Sequence, residues 1–153
     1  MRAVVQRVSS ASVTIEKSGV IEKTGSIEQG VLVYIGVGRS DSAMDAEYLA
    51  DKVANLRIFM DEHEKMNLSL LDKGYAALVV SQFTLYADAR KGRRPSYSEA
   101  AGNEAAVELY GLFCSALAAE GIHVETGRFR EIMRVAYVNE GPITVLLDSQ
   151  KAF

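Results

Sequence analysis

The run Ala77-Leu78-Val79-Val80-Ser81-Gln82-Phe83-Thr84-Leu85 constrains the fold more than any other stretch of the chain. Four apolar residues in succession, two of them β-branched, predict a strand buried on both faces, which needs neighbours on either side. The run then turns polar with no Gly or Pro to announce a loop. Ser81, Gln82 and Thr84 bring hydroxyls, an amide and backbone N–H groups to the end of a core strand, where a rigid scaffold can hold them for chemistry. The same pattern also fits a strand whose polar end simply meets solvent, and the segment alone leaves both readings open.

The remaining chain supplies the neighbours. Residues 2–8 and 11–16 are β-branched and partly alternating, predicting two strands separated by Ser9-Ser10. Gly19 and Gly25 bracket a hairpin arm over 20–23, and the apolar run 31–37 predicts a central strand. Ser40 or Asp41 can cap a helix whose stripe is Ala46, Leu49, Val53 and Leu56. Residues 57–59 suggest a short strand, 61–65 a polar turn, and Lys73-Gly74 a second turn. A basic loop, Arg90-Lys91-Gly92-Arg93-Arg94-Pro95-Ser96, precedes a helix over 103–120 with Ala106, Leu109 or Tyr110, Phe113 and Leu117 on one face and Gly121 as its stop. A short strand at Val124 follows, and two last strands, 133–138 and 143–147, flank Asn139-Glu140-Gly141-Pro142. Many strands with two amphipathic helices predict an α+β fold in one domain, 1–153, with 148–153 as a short tail.

Composition narrows the function. A net charge of −3 argues against nonspecific coating of nucleic acid while allowing a local basic site. A single cysteine excludes an intrachain disulfide and fits a reducing compartment; with no apolar run near 18 residues, a cytoplasmic protein without a membrane segment is expected. His63 falls in a charged turn, His123 follows a helix stop, and Cys114 sits inside a helix as a small core residue, so none is a good base or nucleophile. No zinc-type or clustered carboxylate spacing points to a metal. Gly36-Val37-Gly38 lacks the third glycine and the helix start of a dinucleotide loop. Neither a metal nor a cofactor is expected.

Asn139-Glu140-Gly141-Pro142-Ile143-Thr144 remains. Glu-Gly-Pro between two strands predicts a hairpin or tight reversal. A cis X–Pro bond costs only roughly 0.5–1 kcal/mol, and a cis corner can aim two carbonyls the same way, as an acceptor pair for an ammonium group. A plain turn containing proline satisfies the same residues.

Ser81-Gln82-Phe83-Thr84-Leu85 and Asn139-Glu140-Gly141-Pro142-Ile143-Thr144 together resemble the two signature motifs of the D-aminoacyl-tRNA deacylases. The similarity extends in order and spacing through Gln6-Arg7-Val8, Ala11-Ser12-Val13, Lys65-Met66-Asn67-Leu68, Arg94-Pro95-Ser96 and Thr126-Gly127-Arg128-Phe129, to about Leu147. The resemblance implies a barrel-like core of mixed and antiparallel sheet with two main helices. It implies a hydrolase that cleaves the ester of D-aminoacyl-tRNA, and glycyl-tRNA mischarged on tRNA(Ala), as chiral proofreading in translation quality control. It also implies a homodimer with active sites at the subunit interface. Ser81, Gln82, Phe83 and Thr84 would form the catalytic end, with the amides near Phe83 and Thr84 facing the oxyanion. Either Thr84 or the substrate 2′-hydroxyl would direct the water; the lack of a base for Thr84 favours the 2′-hydroxyl. Gly141 and Pro142, in a cis corner, would hold the α-amino group and reject L side chains, with Asn139, Arg7 and Met133 beside them.

For tRNA, the resemblance suggests Lys65, Met66 and Asn67, and the charge pattern suggests Arg90, Lys91, Arg93 and Arg94, four cations in five positions. Two alternatives stand beside this reading. One is a nucleic-acid-binding module without hydrolysis, for which stacking aromatics and a broad basic face are missing. The other is an editing enzyme of the same fold, with a trans Gly–Pro bond, acting on an achiral or L substrate.

Overall fold

In the computed structural model, which describes residues 1–152, the buried run forms β6 (Ala76–Ser81). The preceding strands are β1 (Arg2–Lys17), β2 (Val20–Ile27), β3 (Gly30–Gly36), β4 (Phe59–Met60) and β5 (Met66–Leu68). β7 (Val124–Thr126) and β8 (Met133–Asp148) follow. The helices are α1 (Ala43–Asn55), α2 (Leu70–Lys73) and α3 (Asn103–Ala119). β6 lies parallel between β3 and β7, with Val33 opposite Val79 and Val79 opposite Thr126. β3 and β2 pair antiparallel with successive halves of β1, and β8 runs along the other edge of β1. The sheet curls into a nearly closed barrel as β2 meets β7: a Cβ on Gly25 would lie 2.6 Å from the Thr126 carbonyl oxygen.

The apolar character of β3 and β6 follows from having a core on each face. Leu32, Leu78 and Val80 point inward and pack with Val8, Ala11, Val13 and Ile27. Val31, Val33, Ile35, Ala77 and Val79 point outward and pack under α1 and α3, against Leu49, Val53, Phe113 and Leu117. α3 buries Leu109, Phe113 and Leu117 as the stripe predicts, and Gly121 follows it with φ of +97°.

Three expectations need correction. Residues 2–8 and 11–16 form one strand, because a shift in pairing around Val8 absorbs Ser9-Ser10. Arg7 and Val8 are both buried there, so the alternation changes face without the strand ending. Residues 133–138 and 143–147 also form one strand, with no reversal between them: Thr144 pairs with Gln6 and Asn139 with Val8, so 140–143 bulge out opposite Arg7 alone. The α1 cap is Ser42, whose N–H donates to Asp45 Oδ2 at 2.8 Å, rather than Ser40 or Asp41. The short segment from 148 onward, as far as it is described, lies against the start of β1. Asp148 is buried and ion-paired with Arg2, and the Ser149 amide donates to the Met1 carbonyl at 2.9 Å; Phe153 lies outside the described residues.

Candidate active site

The polar end of β6 is held from both sides. Ser81 pairs with Ile35 of β3, and the Gln82 amide donates to the Ile35 carbonyl at 2.8 Å. The chain then makes one 3₁₀ turn, Phe83–Tyr86, closed by the Leu85 amide on the Gln82 carbonyl and the Ala87 amide on the Thr84 carbonyl. The first amides of a helical turn have no partner within it. Among the described residues, those of Phe83 and Thr84 donate to no acceptor, so two N–H groups are available side by side. The Gln82 side-chain amide donates to Thr84 Oγ1 in a short hydrogen bond.

The glycines beneath this turn have a packing role. A Cβ on Gly36 would come within 3.0 Å of the Gln82 carbonyl oxygen, and one on Gly38 within 2.6 Å of the Tyr86 ring. Gly36-Val37-Gly38 therefore lets the turn sit directly on the end of β3.

Ser81, Gln82 and Phe83 form one wall of a cleft of about 620 Å³, whose other walls include Tyr97, Phe129 and Met133. Phe83 is 58% exposed and stacks edge-on against Tyr97 at 5.1 Å. A cleft of this size with aromatic walls and a few convergent polar groups suits a small organic group. Among the described residues no histidine or cysteine lines it, and the one carboxylate that does is the exposed Glu131. Cys114 lies elsewhere in α3, its thiol pushed up to about 11 by burial. Both histidines are exposed. Among the described residues, no three His, Cys, Asp or Glu side chains are grouped to hold a metal, and no helix is long and apolar enough to cross a membrane. Tyr97, Asn103, Phe129 and Glu131 line the cleft but carry no role in the sequence reading. Their loops gather only through the tertiary fold, and the available signal was the aromatic residues beside the basic and Gly127 segments.

The Gly141–Pro142 corner forms a second cluster. Its peptide bond is cis, and Gly141 has φ of +121°. Asn139 braces the bulge by accepting from the Ile143 amide and donating to Thr144 Oγ1, each at 3.2 Å. Arg7 lies beneath it, 7% exposed, with Nη1 donating to the Ile58 carbonyl at 2.8 Å and Glu140 3.8 Å from Nε. Arg7 Nε is buried with no hydrogen-bond acceptor among the described residues. A Cβ on Gly141 would lie 3.2 Å from Arg7 Nη2, so the guanidinium supports the corner from below. Gly141 and Pro142 themselves are exposed.

The two clusters are far apart within one chain. Within one chain Met133 stands with Ser81–Phe83 in the cleft, while Arg7 and Asn139 stand with the corner; Gly127, whose Cβ would meet the Met133 Sδ at 2.5 Å, makes room for it. Eight residues of β8 separate Met133 from Gly141, a span of roughly 20 Å or more at strand rise. Lys65, Met66 and Asn67 are exposed on the β4–β5 hairpin, and the Asn67 carbonyl accepts from Arg57. In the basic loop, Arg90 is tied to Asp88 at 2.7 Å, and its hydrogen bonds hold that carboxyl well below the usual range. Lys91, Arg93 and Arg94 are exposed.

Among the described residues the Phe83 and Thr84 amides at this cleft are unpartnered, a geometry able to donate to a negatively charged oxygen. Comparison with known proteins gives the family. The family model described as D-Tyr-tRNA(Tyr) deacylase matches residues 4–148. A protein of Koribacter versatilis named D-aminoacyl-tRNA deacylase is 58% identical over 153 residues, all of both chains. One of the same name from Thermotoga petrophila is 54% identical, again over all of both chains. A solved structure titled c-Myc DNA Unwinding Element Binding Protein superposes with a TM-score of 0.87 at 37% identity, covering 97% of this chain and 98% of that one. Another, titled as a probable eukaryotic D-amino acid tRNA deacylase, has the same fold at 18% identity, with a TM-score of 0.81 over 95% of this chain and 97% of that one. The chain belongs to the D-Tyr-tRNA(Tyr) deacylase family.

Proposed function

We propose that this chain is a D-aminoacyl-tRNA deacylase whose site combines Ser81–Thr84 of one copy with the Gly141–Pro142 corner of another. Water adds to the ester carbonyl, the negative charge on its oxygen is met by the Phe83 and Thr84 amides, and the 3′-oxygen of the terminal adenosine leaves, giving free D-amino acid and tRNA. One oxyanion donor is worth about 2.7–4 kcal/mol, on the order of 10²–10³ in rate. The observation that carries this reading is the pair of adjacent unpartnered amides, Phe83 on the cleft wall and Thr84 next to it in the chain.

The substrate 2′-hydroxyl, rather than Thr84, assists the water. The Thr84 oxygen already accepts from Gln82, and no histidine or carboxylate hydrogen-bonds it among the described residues. Gly141 and Pro142 accept the substrate's α-amino group through their carbonyls and leave no space for an L side chain. Glycine offers no side chain to exclude, so glycyl-tRNA, including that mischarged on tRNA(Ala), is cleaved as well.

The separation of the clusters supports a homodimer. At strand rise the corner lies roughly 20 Å along β8 from Met133 in the cleft, and a second copy would bring corner and cleft together. Tyr137, Val138 and Leu146 of β8, all exposed, provide apolar surface for that contact. Lys91, Arg93 and Arg94 meet tRNA phosphates, with Lys65 and Asn67 as further contacts.

Hydrolysis of D-tyrosyl-, glycyl- and L-alanyl-tRNA measured side by side tests the assignment. The first two are expected to be cleaved and the third spared. Cleavage of L-alanyl-tRNA in preference to the others would assign the chain to the L or achiral editing class, and binding without cleavage of any would make it a nucleic-acid-binding module.

A further inference from the structure

The α-amino group of Met1 is buried, its ammonium 2.6 Å from Asp41 Oδ1 with neither side chain exposed, and it donates to Ser149 Oγ. Asp41 Oδ1 is buried and, among the described residues, has no hydrogen-bond donor besides that ammonium. Its other oxygen, Oδ2, accepts from the Gly38 amide at 2.6 Å and from the Tyr86 hydroxyl at 3.2 Å. Tyr86 is the last residue of the 3₁₀ turn that carries Phe83 and Thr84. Gly38 is bridged to Ala100, and the Ala101 amide donates to the Val37 carbonyl; Val37, Ala100 and Ala101 line the cleft. Arg2 adds a second tie, donating to the Leu85 carbonyl at 3.0 Å with its guanidinium 4.5 Å above the Tyr86 ring.

A buried carboxylate needs a compensating charge, and a hydrogen bond to an ionised group is stronger than one to a neutral group. We infer that Asp41, which accepts from the Gly38 amide and the Tyr86 hydroxyl, is a positioning residue for the reaction: it fixes the Phe83–Tyr86 turn against the end of β3. The inference rests on the reading that this turn carries the oxyanion donors. It assigns a role to Asp41 and Tyr86, neither of which lines the cleft.

Three variants test it, assayed on D-tyrosyl-tRNA well below the unfolding temperature: Tyr86→Phe, Asp41→Asn and the two combined. Tyr86→Phe keeps the ring under Arg2 and is expected to lower kcat about tenfold, with KM for tRNA and Tm nearly unchanged. Asp41→Asn should lower kcat further, because it also weakens the tie to the Gly38 amide. Combined, the two should cost little more than Asp41→Asn alone, because both act on the same hydrogen bond. A folded Tyr86→Phe with wild-type kcat, or kcat losses that simply track Tm across the three, would overturn the positioning role. Failure of the underlying reading shows separately, as full activity in Phe83→Pro, which removes one donor without touching Asp41.

Discussion

The two clusters are built in opposite ways. The Ser81–Thr84 end grows out of a strand with neighbours on both edges and cores on both faces, and its turn is pressed onto Gly36 and Gly38. The Gly141–Pro142 corner projects from a strand paired only with β1, and it is exposed above a single buried arginine. One chain supplies everything needed to rigidify the first cluster. The second has support from below and open space above. The contrast teaches that one cluster is fixed by its own core, whereas the other is a stiff protrusion braced from one side only.

Removing an amide donor from the buried end should have the largest effect. Phe83→Pro deletes that N–H at the first position of a helical turn, where proline is well tolerated. It is expected to lower kcat on D-tyrosyl-tRNA about 10²–10³-fold while far-UV circular dichroism stays unchanged. Gly141→Val is expected to act on the protruding end. A β-branched side chain at φ of +121°, with its Cβ 2.9 Å from Ile143 Cγ1, must displace the corner. Activity should fall about 10- to 100-fold, with discrimination against L-aminoacyl-tRNA reduced and Tm little changed.

Charge neutralisation should leave both clusters intact. Arg93→Gln with Arg94→Gln is expected to weaken tRNA binding uniformly and to flatten the salt dependence by about 0.7–0.9 in log–log slope for each phosphate that is no longer neutralised. An unchanged slope would remove this loop from the tRNA footprint. Thr84→Ala should matter least, within about threefold in kcat, a small fraction of a donor's worth. A tRNA ending in 2′-deoxyadenosine should by contrast be cleaved poorly by the unmodified chain. A folded but inactive Thr84→Ala would transfer the water-directing role to its hydroxyl.

The buried end is the more legible of the two in the amino-acid sequence. Ala77-Leu78-Val79-Val80 announces a doubly covered strand, and the polar residues directly after it mark where it stops. The helical stripes are equally direct, since period 3.6 is a local property. The protruding end misleads because Asn-Glu-Gly-Pro reads as a chain reversal, whereas an uninterrupted β1 opposite it turns the same residues into a bulge. Whether such residues bulge or reverse depends on a strand more than a hundred positions away, which no local pattern reveals. Asp41 reads as a helix cap for a similar reason: the Met1 ammonium that occupies it lies far away in the chain. α2 has only four residues and so no periodicity, although Ser69 with Asp72 three positions on is a readable capping pair.

The central claim is that each working site takes its donors from one copy and its corner from another. Mixing Phe83→Pro and Gly141→Val chains, unfolded and refolded together, tests it directly. If the halves meet between copies, each mixed dimer contains one site free of both lesions, and random pairing restores about a quarter of wild-type activity. Activity no higher than the average of the two separate variants would contradict the claim and place both halves in the same chain.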